Sequence, residues 1–292
     1  MHRILLRCIF GLFFTNNLLL TEQGYLPYNV GMRRILLLLL IVSFTLPLFM
    51  LGCNNEQYIE PAPPSIESTP PEFEEETEEE QKRKKQYIVS TTNGLRVRTK
   101  PSGTASVIGS LDKNDALLLV CTEGNYYKTV FKEKTAYVHS GYCAVLEVEA
   151  SNDEVEKAID IGCSLMGYPY VWGSQRYHWG NGKLNKNFVA GKFDCSALVQ
   201  YIYYHSSKVI LDVNTRTQVY NGTEVKKEDL SRGDLMFFTN ASRINKKGVE
   251  RIGHVGIYFG NNYILHTASD HAVIEPISSL RWSYYITARR VV

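Results

Sequence analysis

Residues 54–86, NNEQYIEPAPPSIESTPPEFEEETEEEQKRKKQ, are rich in proline and glutamate and carry almost no periodic apolar residues. Such a stretch cannot bury enough apolar surface to offset its ordering entropy, so it is expected to be an extended linker, and whatever folds must lie to either side of it. Its acidic block followed by KRKK reads as a solvated spacer, with a partner patch or an isolated charged helix as the alternatives. The whole chain of 292 residues suits about two domains, and at 44% hydrophobic it can bury a sizeable core. A formal net charge of +2 is too small to mark a nucleic-acid partner.

On the N-terminal side of the linker, Met32-Arg33-Arg34 opens the run ILLLLLIVSFTLPLFMLGC, a short basic start, an apolar stretch and then Leu51-Gly52-Cys53. This segment resembles a bacterial lipoprotein signal, which implies lipidation of Cys53, a true start at Met32 and cleavage before Cys53. An uncleaved membrane anchor is the alternative, since a run of about 20 apolar residues can also span a bilayer. Either way the remainder is expected to be tethered outside the cytoplasm, in the cell envelope.

On the other side, residues 87–148 are short strand-like runs broken by Gly, Pro, Asn and Asp, a spacing that predicts a small antiparallel barrel. GLRVRTKPSGTASVIGSL and AYVHSGYC resemble bacterial SH3-like domains. That resemblance implies wall attachment or the shaping of a neighbouring catalytic groove, with a ligand-free spacer as the bland reading.

A second folded unit is expected over 152–292. NDEVEKAIDIGCSLMG reads as an amphipathic helix with an Asn152 cap, and CSALVQYIYYHSS as a buried helix. DLMFF, HVGIYFG, NYILHTA and YYITARRVV read as strands of an antiparallel sheet, an α+β pattern.

Within this unit, Asp194 can cap the helix that Cys195 begins, and the positive end of that helix is expected to favour thiolate over thiol. A nucleophile needs a base, and the candidates are His254 and His266. If Gly260–Asn262 form a three-residue turn, the two histidines share one sheet face as diagonal neighbours; a two-residue turn separates them. The expected roles are Cys195 as nucleophile, His254 as general base and His266 orienting it, with the Cys195 backbone N–H receiving an oxyanion.

YPYVWGS, FDCSALVQYIYY, LSRGDLMFF, IGHVGIYFG and YILHTAS, in that order, resemble the motifs of the NlpC-type family of papain-like cell-wall cysteine endopeptidases. The resemblance implies a papain-like α+β core, hydrolysis of peptidoglycan stem peptides, and Cys195, His254 and His266 as catalytic residues. It also implies substrate binding by Tyr170, Asp194 and Ser196, the last two holding a free L-Ala amine, with cleavage between γ-D-Glu and the diamino acid. Amidase or acyltransferase chemistry on the same core, or an idle wall-binding lipoprotein, are the other readings. The chain departs from the family in an insertion over 174–192 and in an extension, TNASRINKKGVER, ahead of His254.

No cofactor or metal is expected, because His139 and His205 lack an Asp/Cys cluster at ligand spacing. His178 and His271 are uninformative, and a monomer is expected. Cys121 and Cys143 are candidates for a disulfide in an exported chain, and Cys163 for the core.

Overall fold

The computed structural model describes residues 84–267 and 270–292. The signal region, Met32, Cys53 and the linker up to residue 83 lie outside the described residues. Lys84–Gln86, expected in the linker, instead begin the first strand, β1 (Lys84–Ser90). The reason is cross-strand chemistry: Lys84 faces Glu149 across the ladder, Gln86 bonds Glu147, and Lys85 reaches Asp160 at 2.7 Å.

Seven further strands follow: β2 (Leu95–Arg98), β3 (Val107–Leu111), β4 (Ala116–Leu118), β5 (Cys121–Glu123), β6 (Tyr126–Phe131), β7 (Lys134–His139) and β8 (Cys143–Glu149). All their ladders are antiparallel, as the turn spacing predicts. They form two sheets, ordered β4-β1-β8 and β3-β2-β7-β6-β5, and no ladder among the described residues closes them into a barrel. Cys121 and Cys143 fall in different sheets, and Cys143 is a free thiol, so the disulfide considered between them is not made. Cys163 is fully buried in the core, as expected.

Helix α1 (Asp153–Ser164) starts at Asn152, whose side chain accepts from the Val155 N–H, and helix α2 (Cys195–Ser207) starts at Asp194. After the short α3 (Thr215–Gln218) come β9 (Thr223–Val225), β10 (Leu235–Phe238), β11 (His254–Gly260), β12 (Tyr263–Thr267), β13 (Ala272–Pro276), α4 (Ser279–Ser283) and β14 (Tyr285–Arg290). They build one antiparallel sheet ordered β13-β12-β11-β10-β14-β9. The four strands read from sequence are present; β9, β13, α3 and α4 are additions. No described helix is long and apolar enough to cross a membrane.

One face of this sheet packs Leu235, Phe237, Val255, Ile257, Phe259, Leu265 and Ile274 into the core that also holds α1 and α2. The same core continues through Tyr87, Phe131 and Val138 of the first eight strands. The seam is tight: Gly167, at φ +85°, leaves no room for a Cβ beneath the Phe131 ring, a backbone conformation that glycine adopts without steric cost.

Arg232 ties the seam together. Its guanidinium bonds Glu156 at 2.7 and 3.1 Å, donates to the Phe259 carbonyl and the Tyr87 hydroxyl, and stacks over the Phe259 ring at 4.5 Å. Both partners of the ion pair are buried, so removing one leaves an uncompensated charge. Arg232→Met is expected to cost about 3–5 kcal/mol in urea unfolding. A loss under about 1 kcal/mol, the value of a surface pair, would show that the network carries no weight.

Candidate active site

The position of Cys195 follows from its neighbour. Asp194 Oδ1 accepts from the Ala197 N–H at 2.8 Å, capping α2, and from the Ser196 hydroxyl at 3.0 Å. The cap fixes the first turn and leaves Cys195 at its head, nearly buried. Burial is the largest influence on the thiol, and with the Asp194 charge it pushes the pKa up to about 11, although the Val255 and Ser196 backbone N–H groups and Arg176 pull it down. The expectation that the helix end would favour thiolate is therefore outweighed by desolvation. Tyr170 lies beside this group, its phenol raised by burial and then by the Cys195 and Asp194 charges.

The Val255 N–H directed at the sulfur places Cys195 at the start of β11, next to His254. The turn after β11 has two residues, Asn261 and Asn262, both at positive φ. By itself such a turn would put the two histidines on opposite faces. A bulge between Tyr258 and Gly260 adds one residue and restores the even register, Ile257 opposite Leu265 and Tyr258 opposite Ile264. His254 and His266 thus share a face, with His254 Nε2 2.8 Å from His266 Nδ1. Gly256 packs against the strand that carries His266, and a Cβ there would come within 2.9 Å of the His266 Cβ.

The relay continues to a residue that the sequence reading missed. His266 Nε2 lies 2.9 Å from Glu275 Oε1, and Glu275 meets Arg281 Nη2 at 3.2 Å. Glu275 sits on β13, opposite Ile264, and so on the same face as His266. The available signal was HAVIEP, a short β-branched apolar run ending in proline, which suits a short strand.

The order of protons follows from the carboxylate. Burial raises Glu275, but the His266 hydrogen bond and the His266 and Arg281 charges outweigh it and hold the carboxyl below its ordinary range. An ionised carboxylate only accepts, so His266 carries its proton on Nε2 and presents a bare Nδ1. His254 must then donate from Nε2, which leaves its Nδ1 lone pair free. Burial, the neighbouring imidazole and Arg281 all lower His254 well below the ordinary 6.5, so it rests neutral. His266, fully buried, is also lowered, burial outweighing the Glu275 hydrogen bond.

The 174–192 insertion reaches the site through Arg176. Its guanidinium bonds Asp194 Oδ2 at 3.0 Å from both terminal nitrogens and the Ser196 hydroxyl at 3.0 Å, while also bonding the Ser174 and Val213 carbonyls. Asp194 accepts from the Gly173 N–H as well. Asp194 and Ser196 are therefore both partnered by this chain's own arginine. Tyr177 and Phe188 of the insertion pack against Tyr201 of α2, so the segment is anchored rather than merely solvated. His178 is buried with Nδ1 accepting from the Gly180 N–H, and His139 caps the turn that begins at Ser140. Among the described residues no group of three or more His, Cys, Asp or Glu converges as metal ligands.

Comparison with known proteins gives consistent relatives. The sequence profile of the NlpC/P60 family matches residues 167–291, and that of the bacterial SH3 domain matches 93–144. The chain is similar to the murein DD-endopeptidase MepS/murein LD-carboxypeptidase of Escherichia coli, 31% identical over 183 residues, 60% of this chain and 87% of that protein. It is also 31% identical over 149 residues to the peptidoglycan DL-endopeptidase CwlO of Bacillus licheniformis, 50% of this chain but only 30% of that one. A γ-D-glutamyl-L-lysine dipeptidyl-peptidase of Bacillus subtilis matches at 28% over 54% of this chain and 47% of its own length. Among solved structures, a NlpC/P60 family protein from Bacillus cereus aligns at 23% identity and TM-score 0.37, covering 71% of this chain and 63% of that one.

The proton order can be read directly. At pH 7 the ¹⁵N shifts of His254 and His266 are expected to report the Nε2–H tautomer for both rings. An Nδ1–H proton on His254 would reverse the deduction.

Proposed function

The chain belongs to the NlpC/P60 family, and from that premise we propose that it is a cysteine hydrolase cutting peptide bonds in peptidoglycan stems. The observation that carries the reading is the run of hydrogen bonds from Glu275 through His266 to His254, the residue before Val255, whose backbone N–H is directed at the Cys195 sulfur. In the reaction, His254 Nδ1 takes the thiol proton as the sulfur attacks the scissile carbonyl carbon. The C–N bond breaks and the proton passes to the leaving amine. Water then hydrolyses the thioester, its proton going to His254 and back to the sulfur. His266 holds the ring of His254, and the Cys195 backbone N–H receives the oxyanion.

The finer assignment is the bond between γ-D-Glu and the diamino acid, in stems with a free L-Ala end. Tyr170 lines the pocket beside Cys195. Asp194 and Ser196 take the amine, which must displace Arg176 from them. The Arg176 contacts favour a second reading in which the amine goes unread and blocked stems are accepted equally. The rest of the domain plan is part of the same proposal: a lipid anchor at Cys53, an envelope location, a monomer, an SH3-like unit over 87–148 and a peptidase over 152–292.

Mass spectrometry of stem tripeptides incubated with the protein and with its Cys195→Ala variant tests the reaction. Release of the L-Ala-γ-D-Glu dipeptide by the parent alone is expected, and release by both would remove Cys195 from the mechanism. Equal rates on free and N-acetylated stems would favour the second reading.

The pH profile follows from the two shifted groups. His254 loses its role only when protonated, below its ordinary 6.5, and the thiol loses its proton only well above the ordinary 9.0. kcat/KM is expected to stay level through neutral pH, with its acid limb below 6.5. An acid limb centred at or above 6.5 would contradict a desolvated base.

A further inference from the structure

A cavity of about 380 Å³ opens beside His254, lined among others by Tyr170, Thr239, Asn240, Arg281 and Tyr284. Besides the His254 imidazole its polar lining is hydroxyl and amide, and among the described residues the only permanently charged one that lines it is Arg281. The side chain of Arg281 is 26% exposed, and a single Nη2 contact ties it to Glu275, which does not line the cavity. The guanidinium also lies 5.9 Å from the Phe238 ring, itself next to the His254 ring at 6.2 Å. It is therefore held in place yet keeps most of its five N–H groups unused, in the planar fork that matches a carboxylate.

We propose that this cavity is a carboxylate subsite, in which Arg281 binds a carboxylate of the peptide and so seats the scissile bond against His254 and Cys195. The proposal rests on the hydrolase reading and deepens it, since stem peptides carry carboxylates on both the D-Glu and the diamino acid. Lysine would not serve as well, because a point charge cannot hold Glu275 with one edge and the substrate with the other. Thr239, Asn240 and Tyr284 supply neutral donors around the same space. Arg281 acts here as a specificity residue in addition to its contact with Glu275, where the proton relay ends.

The test uses the full chain and stem tripeptides in which either the D-Glu carboxylate or a diamino-acid carboxylate is replaced by a carboxamide. Kinetics are measured for the parent, Arg281→Gln and Arg281→Lys. One of the two amidations is expected to lower kcat/KM of the parent by about 10- to 100-fold, mainly through KM, and the sensitive position identifies the carboxylate. Arg281→Gln should bring the acid and amide forms together, and Arg281→Lys should recover part of the difference. A parent indifferent to both amidations, or an Arg281→Gln variant that still discriminates, overturns the subsite. So does a loss confined to kcat and equal on all peptides, which would make Arg281 a positioning residue for Glu275. Calorimetry on the Cys195→Ala protein keeps the two readings apart. If the parent cleaves nothing but Arg281-dependent preference for the acid peptide persists in binding, the hydrolase reading fails and the subsite stands. If the preference is absent in binding as well, the subsite fails.

Discussion

A strand turns successive side chains to opposite faces, so three polar residues on three neighbouring strands meet only where the register between each pair is right. His254, His266 and Glu275 depend on this twice. Across β11 and β12 the bulge before Gly260 sets the register; across β12 and β13 His266 faces Val273, which leaves Glu275 one diagonal step away. A slip of one residue in either ladder would send one of the three to the opposite, apolar face of the sheet. The same alternation puts Val255, Ile257 and Leu265 into that core, so hydrophobic burial is what enforces the geometry of the relay.

The electrostatics follow from placing such a relay in a desolvated position. Two adjoining imidazoles, His266 fully buried and His254 at the cavity wall, cannot both be protonated, and desolvation keeps both neutral. A neutral imidazole has two tautomers, and only an anchored acceptor selects one. Glu275 is that acceptor, held ionised first by its hydrogen bond to His266 and then by the Arg281 charge. On the nucleophile side, Asp194 is the carboxylate next to Cys195, yet its charge is matched by Arg176. The site thus rests close to electroneutral, which suits a thiol that ionises only as it attacks.

Much of this was legible in the sequence because it is local. The Asp194 cap, the buried run after Cys195 and the hairpin around GNN are all patterns of short range. The two turn lengths weighed for the hairpin left out a third closure, since a two-residue turn with a bulge has the same parity as a three-residue turn. Glu275 was not found because β13 is short and its partner lies across a ladder, so nothing near it in sequence marks a carboxylate as aimed at a histidine. Arg176 was hidden for a related reason: it sits in an insertion whose contacts are set by the tertiary fold. Lys84–Gln86 looked like the end of a charged linker, and only the acidic residues of β8 and α1 make them a strand.

The first eight strands touch the strands that carry the relay. Tyr87 meets Phe259 edge to face at 4.6 Å, one residue before the end of β11, and Arg232 ties both to α1. Next to β4, Asp115 is raised to about 6 by burial, with the charges of Glu275 and His271 also acting on it. Removing the SH3-like segment would therefore strip Tyr87 and Phe131 from a shared core and leave Arg232 with fewer partners, altering β11 along with any groove the segment shapes. A deletion would confuse substrate selection with loss of packing.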